Sequence, residues 1–156
     1  MTKKIEARLV ELGIELPAPS DPGGNYLSFV ATGSLIFMSG QVPIKDGVRK
    51  FIGKLGREIS VAEGQKAAAL CALHLLAKLK IACGGDLDRV VRCVKLVGFV
   101  NSTPEFCEHP KVINGASDFF INIFGKAGMH ARSAVGMSSL PSGVAVEVEA
   151  VFEISA

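Results

Sequence analysis

From Val144 to Ile154 apolar and polar positions alternate one by one. Val144, Val146, Val148, Ala150, Phe152 and Ile154 interleave with Ala145, Glu147, Glu149, Val151 and Glu153. Successive side chains of an extended strand point to opposite faces, so this run predicts a strand with one apolar face and one face of carboxylates. Ala131–Ser139 reads as a second strand, and Leu140-Pro141-Ser142-Gly143 as the turn between the two. The pair is therefore expected to form a β-hairpin. With the turn centred between Pro141 and Ser142, Gly136 falls opposite Glu147. Arg132 then lies on the Glu147 face about four residues along, roughly 13 Å at strand rise. A slip of one residue would move Arg132 to the other face.

Upstream the period changes. Ile5, Leu9 and Leu12 recur at helical spacing between Thr2, a possible cap, and Gly13, a possible stop. Pro17, Pro19, Pro22, Gly23 and Gly24 follow as an extended linker. Leu27–Thr32 and Leu35–Ser39 read as strands joined around Gly33, and Asp46-Gly47 reads as a turn. Lys50–Gly56 is a short strand or a loop. Ser60 and Glu63 form a capping box that starts a long helix, ended near Ala82 by Gly84-Gly85. Arg89–Val100 is a Val-rich strand, with Arg92, Val94, Leu96, Gly98 and Val100 assigned to one face and Val91, Cys93, Lys95, Val97 and Phe99 to the other. A second helix is expected from about Lys111 to Lys126. Two helices among these strands give too few crossovers for a doubly wound sheet. They predict an α+β domain: a mixed sheet covered on one face by two helices, preceded by an extra N-terminal helix. The chain is read as a single domain, 1–156, of which 1–21 is the helix-and-linker extension.

Composition narrows the function. The chain has 156 residues, long enough for one well-filled core, and a formal net charge of +2, with Lys and Arg scattered along it. That argues against a nucleic-acid surface. No apolar run reaches the roughly 18 residues of a membrane span, and the N-terminus lacks the apolar core of a signal peptide. Cys71, Cys83, Cys93 and Cys107 have no CxxC spacing and are expected to be free thiols in a reducing cytoplasm. His74, His109 and His130 form no ligand motif, so no metal is expected, and His74 reads as a packed or solvated side chain. There is no GxSxG, P-loop, GxGxxG or HExxH pattern.

What remains is one arginine and one carboxylate on the C-terminal strands. Arg132 can grip a carboxylate through two parallel hydrogen bonds, or it can pair with Glu147 or Glu149 as a structural salt bridge. Glu147 can position a water and carry its proton, or it can be a solvent-facing strand carboxylate. Gly40 is either a turn glycine of unusual φ or a position where a ligand approaches the backbone.

The stretch HARSAVGMSSLPSGVAVEVEA resembles the C-terminal signature of the reactive intermediate deaminase (RidA) family, also called the L-PSP endoribonuclease family. Asn25-Tyr26, Ser39-Gly40-Gln41-Val42-Pro43 and Asn114 ahead of a helix agree with the same family. The resemblance implies a chorismate-mutase-like fold and a homotrimer with clefts between subunits. Apolar or small residues on the uncovered sheet face (Val135, Met137, Val97, Phe99) agree with assembly. It also implies cofactor-independent hydrolysis of reactive 2-imino and enamine acids to 2-keto acids, with ammonia released. In that scheme Arg132 holds the substrate carboxylate, Glu147 orients the water, and Ser39-Gly40 lines the cleft that Tyr26 and Asn114 help to close. Ala134 stands where many deaminating members have Cys, which bears on pocket polarity. Binding of a small 2-keto acid without turnover is the alternative, and endoribonuclease activity ranks third.

Overall fold

In the computed structural model, residues 3–156 are described. Thr2, read above as a cap, lies outside them. Strands β1 (Phe29–Thr32), β2 (Leu35–Gln41), β5 (Val90–Asn101), β6 (Ala131–Met137) and β7 (Val146–Ile154) form one sheet in the order β1-β2-β7-β5-β6. Helices α2 (Val61–Ala82) and α3 (His109–Phe124) cover one face. The short hairpin β3 (Ile44–Lys45) and β4 (Val48–Arg49) turns at Asp46-Gly47. This is the α+β arrangement that the pattern predicts, and the chorismate-mutase-like fold that the resemblance implies.

The alternation in β7 holds. Val146, Val148, Ala150 and Phe152 are buried under the helices, while Glu147 and Glu149 point to the uncovered face. Phe120 of α3 meets Phe152 edge-on at 5.3 Å. The Ser60–Glu63 capping box forms as expected at the start of α2. Gly115 lets α3 touch the backbone of α2 at Gln65, where a Cβ would collide. His74 is packed, with its Nε2 2.7 Å from Ile44 O. Helix α1 (Lys4–Glu11) buries Ile5 and Leu9 in the core and is capped by Asp88, whose carboxylate accepts from the N–H groups of Lys4 and Ile5. Leu12, assigned to the same stripe, is exposed, because the chain leaves the helix there and Gly13 turns it at φ +65°.

Two expectations fail. The C-terminal strands do not form a hairpin. Strand β7 pairs antiparallel with β5 and β2, whereas β6 lies on the far side of β5 and runs parallel to it. The physical reason is the connection. Helix α3 returns the chain to the start of β5, so β6 is delivered parallel. The segment after β6 then crosses the end of β5, held by Gly53 N–H to Gly143 O, Ala145 N–H to Phe51 O and Asn101 N–H to Ala145 O. Gly136 therefore sits beside Val100, not opposite Glu147. The second failure is in β5. Its register shifts between Cys93 and Lys95, which brings Cys93 to the covered face with Leu96, Gly98 and Val100. A strict two-residue period cannot anticipate such a bulge.

Candidate functional site

Arg132 begins β6, the edge strand next to β5. Its register partner is Leu96, which places it on the helix-covered side, under the first turns of α3. Both hydrogens of Nη1 are used, on Asn114 Oδ1 at 2.8 Å and on Ser117 Oγ at 3.1 Å. Nη2 donates to Pro110 O at 3.3 Å and keeps a second N–H. Among the described residues no acceptor meets Nε, and no carboxylate pairs with Arg132. The structural salt bridge to Glu147 or Glu149 is therefore absent within this chain.

Ser117 and His130 complete the support of this guanidinium. His130 Nδ1 lies 2.7 Å from Gly128 O, which can only accept, so Nδ1 carries a hydrogen. In the neutral ring Nε2 is then an acceptor, and the Ser117 hydroxyl donates to it across 2.9 Å. The Ser117 lone pairs are left to accept from Arg132. Sequence reading missed both residues. Ser117 follows Asn114 by three, one helical turn on the same face, and His130 precedes Arg132 by two, the same face of an extended segment. That spacing was the available signal.

Glu147 lies elsewhere. It pairs in register with Phe99 on the uncovered face. Two strand spacings, about 10 Å, and three residues of rise, also about 10 Å, separate its backbone from that of Arg132, and the side chains point to opposite faces. The placement of Arg132 on the Glu147 face is thus corrected: that placement assumed the hairpin. Burial, and then the neighbouring Glu149 carboxylate, hold the Glu147 carboxyl above the ordinary range.

Beside Glu147 the register of β2 against β7 slips between Met38 and Gln41, so Ser39-Gly40 forms a bulge. Gln41 Nε2 braces it by donating to Ser39 O at 3.1 Å and Gly40 O at 3.0 Å. A Cβ on Gly40 would fall on the Glu147 carboxylate. Gly40 has no positive φ, so space for that carboxylate is what the glycine provides. Ser39 Oγ donates to Leu27 O at 2.6 Å, tying down the segment after the exposed Tyr26. The seven residues singled out in the sequence thus fall into two groups. Arg132, Asn114 and Ala134 sit at the β6–α3 edge, and Glu147, Gly40, Ser39 and Tyr26 sit around β2 and β7.

The sequence pattern of the family described as YjgF/chorismate mutase-like, putative endoribonuclease, matches residues 6–150. The chain belongs to the YjgF/RidA family. Among its relatives in the family, the Trypanosoma cruzi protein TCP17 is 48% identical over 153 residues, 97% of this chain and 95% of that protein. The crystal structure of Atu1372 from Agrobacterium tumefaciens, a protein of unknown function, superimposes with a TM-score of 0.90 at 47% identity, covering 97% of this chain and 92% of that one. A more distant YjgF/RidA relative, E. coli TdcF with bound serine, gives a TM-score of 0.62 at 26% identity over 88% of this chain and 94% of that one.

Proposed function

We propose that this YjgF/RidA chain hydrolyses 2-imino acids and their enamine tautomers to 2-keto acids, at a site completed between two copies of a homotrimer in the cytoplasm. The observation that carries the reading is Arg132. Its guanidinium is fixed by three neutral oxygens and keeps Nε–H and one Nη2–H, a pair that matches the two oxygens of a carboxylate. A substrate carboxylate supplies the missing counter-charge.

Glu147 serves the other end of the reaction. A carboxyl held above its ordinary range accepts a proton from water more readily at neutral pH. Water adds to the carbon of the protonated imine while Glu147 takes its proton. The proton passes to the nitrogen, the C–N bond breaks as the new hydroxyl gives its proton through Glu147 to the departing ammonia, and keto acid and ammonium leave. No step of this scheme calls on a metal or cofactor. Because Arg132 and Glu147 of one chain point away from each other, Glu147 comes from a neighbouring copy, together with Tyr26, Ser39 and Gly40, while Asn114 and Ala134 accompany Arg132. On the uncovered sheet face Val30 and Phe37 of the paired strands β1 and β2 are 52% and 47% exposed, and Val135 at the opposite edge is 39% exposed, apolar exposure that agrees with an interface.

The bound serine of TdcF supports a small acid as ligand. Serine has no C=N bond, and this favours a second reading in which the site holds an amino or keto acid without turnover. An endoribonuclease role draws no support from the scattered basic residues.

The test is ammonia and keto-acid formation in a coupled dehydratase assay, with Arg132→Lys and Glu147→Gln measured alone and together. Each variant alone is expected to be slow. Trimers reassembled from an equal mixture should recover about a quarter of the parental sites, because each site draws its two groups from different copies. No recovery after subunit exchange, verified by native mass spectrometry, would overturn the shared site. A parent that binds 2-ketobutyrate yet forms no product would establish the second reading.

A further inference from the structure

The carboxyl ends of the parallel strands β5 and β6 open into a cleft of ≈ 610 Å³ that neither group above uses. That volume lies within the range of small-molecule sites. Lys54, Arg57, Ser102, Thr103, Phe106 and His109 line it, and no acidic residue does. Lys54 is the organising group. Its Nζ donates to Asn101 Oδ1 at 2.7 Å and to Ser138 O. Asn101 is only 4% exposed, and its Nδ2 is held by Gly53 O and Val144 O, both at 3.2 Å. The fold therefore aims Oδ1 at the ammonium and fixes it in place.

An ammonium has three hydrogens, and here two meet neutral oxygens. The closest acidic residue in the loop, Glu58, is engaged otherwise: it accepts from the Lys54 backbone N–H at 2.8 Å and from Arg57 Nε at 2.6 Å. The Arg57 charge is thus matched and the Lys54 charge is not. His109 stands edge-on to Phe106 with ring centroids 5.2 Å apart, forming an aromatic wall, and its Nε2 lies 3.2 Å from Ser102 Oγ. Helix α3 starts at His109, so its dipole adds positive potential at the same end.

We propose that this cleft is a binding site for a small organic oxyanion, with Lys54 on the anionic group and the Phe106–His109 wall against a flat apolar body. The site is separate from the Arg132 group and does not depend on the imine reaction. A carboxylate and a phosphate monoester share the recognised chemistry.

The test is calorimetric titration of the intact protein with benzoate, phenyl phosphate and neutral benzamide. One or both anions should bind and benzamide should not, and the tighter anion identifies the head group. Ser138→Glu changes an exposed position beside the ammonium and should weaken binding roughly tenfold or more by supplying the counter-charge. Lys54→Met should do the same, with a melting curve to verify folding, and in Arg132→Lys the binding that Lys54→Met removes should persist. The proposal is overturned if neither anion binds at about 10 mM, a concentration that detects even weak association. It is equally overturned if Ser138→Glu binds like the parent, or if Arg132→Lys removes binding.

Discussion

The Arg132 and Glu147 regions are built in opposite ways. Arg132 sits on an edge strand, and its charge is solvated by neutral oxygens from α3, with Ser117 oriented in turn by His130. It is woven into the fold. Glu147 sits on the uncovered sheet face beside a bulge, close to Glu149 and partly shielded from water, with no cation paired to it among the described residues. Its ionisation works against the fold. The contrast teaches that one group is positioned by hydrogen bonds, while the other has its carboxyl pKa raised by poor solvation. A single five-stranded sheet turns them to different faces, and under the proposed function a second copy brings them to one ligand.

The largest effect should come from Glu147→Gln. If this carboxylate moves the proton, turnover should fall roughly 10²- to 10⁴-fold while 2-ketobutyrate affinity is nearly kept. Equal losses in turnover and affinity would make Glu147 a binding group and erase the contrast. Arg132→Lys comes next. It keeps the charge but loses the two-point fork, and keto-acid affinity should weaken roughly ten- to hundredfold by calorimetry. Parental affinity would remove Arg132 from the site.

Ser117→Ala sharpens the comparison at smaller scale. Asn114 and Pro110 still hold the guanidinium, so the loss should be about 1 kcal/mol, seen as a several-fold rise in KM with kcat almost unchanged. A fall in kcat alone would contradict a positioning role.

The smallest effect concerns pH. Glu147 must be ionised to take a proton, so the rate should fall as pH drops through its raised pKa. Glu149→Gln removes the neighbouring negative charge and should move that acid limb to lower pH. Stability has the opposite sense. With the folded pKa above the unfolded one, the folded state binds more protons between them, so stability declines as pH rises through that window. Above it, Glu147→Gln should melt slightly higher than the parent, whereas Arg132→Lys should melt lower.

Much of this was legible along the chain. The capping box at Ser60 and Glu63, the alternation of Val146 through Phe152 and the stop at Gly13 are local signals, read by neighbours within a few residues. The bulges were not, because a slip at Cys93 or Ser39-Gly40 is decided by the partner strand. Gly40 illustrates the limit. Its motif marked the position, but its reason, room for a carboxylate more than a hundred residues later in the chain, exists only once β2 lies against β7.

By itself, then, the sequence determined the element types, the apolar face of β7, the fold class and the identities of the polar groups, since periodicity and capping act through the local backbone. Tertiary structure decided which strand pairs with which. Crossing from α3 into a parallel β6, and then over the end of β5 into β7, set Arg132 and Glu147 on opposite faces. Pairing is a competition among distant segments for backbone hydrogen bonds and core area. Two adjacent strands joined by a plausible turn carry no local mark that a third will come between them.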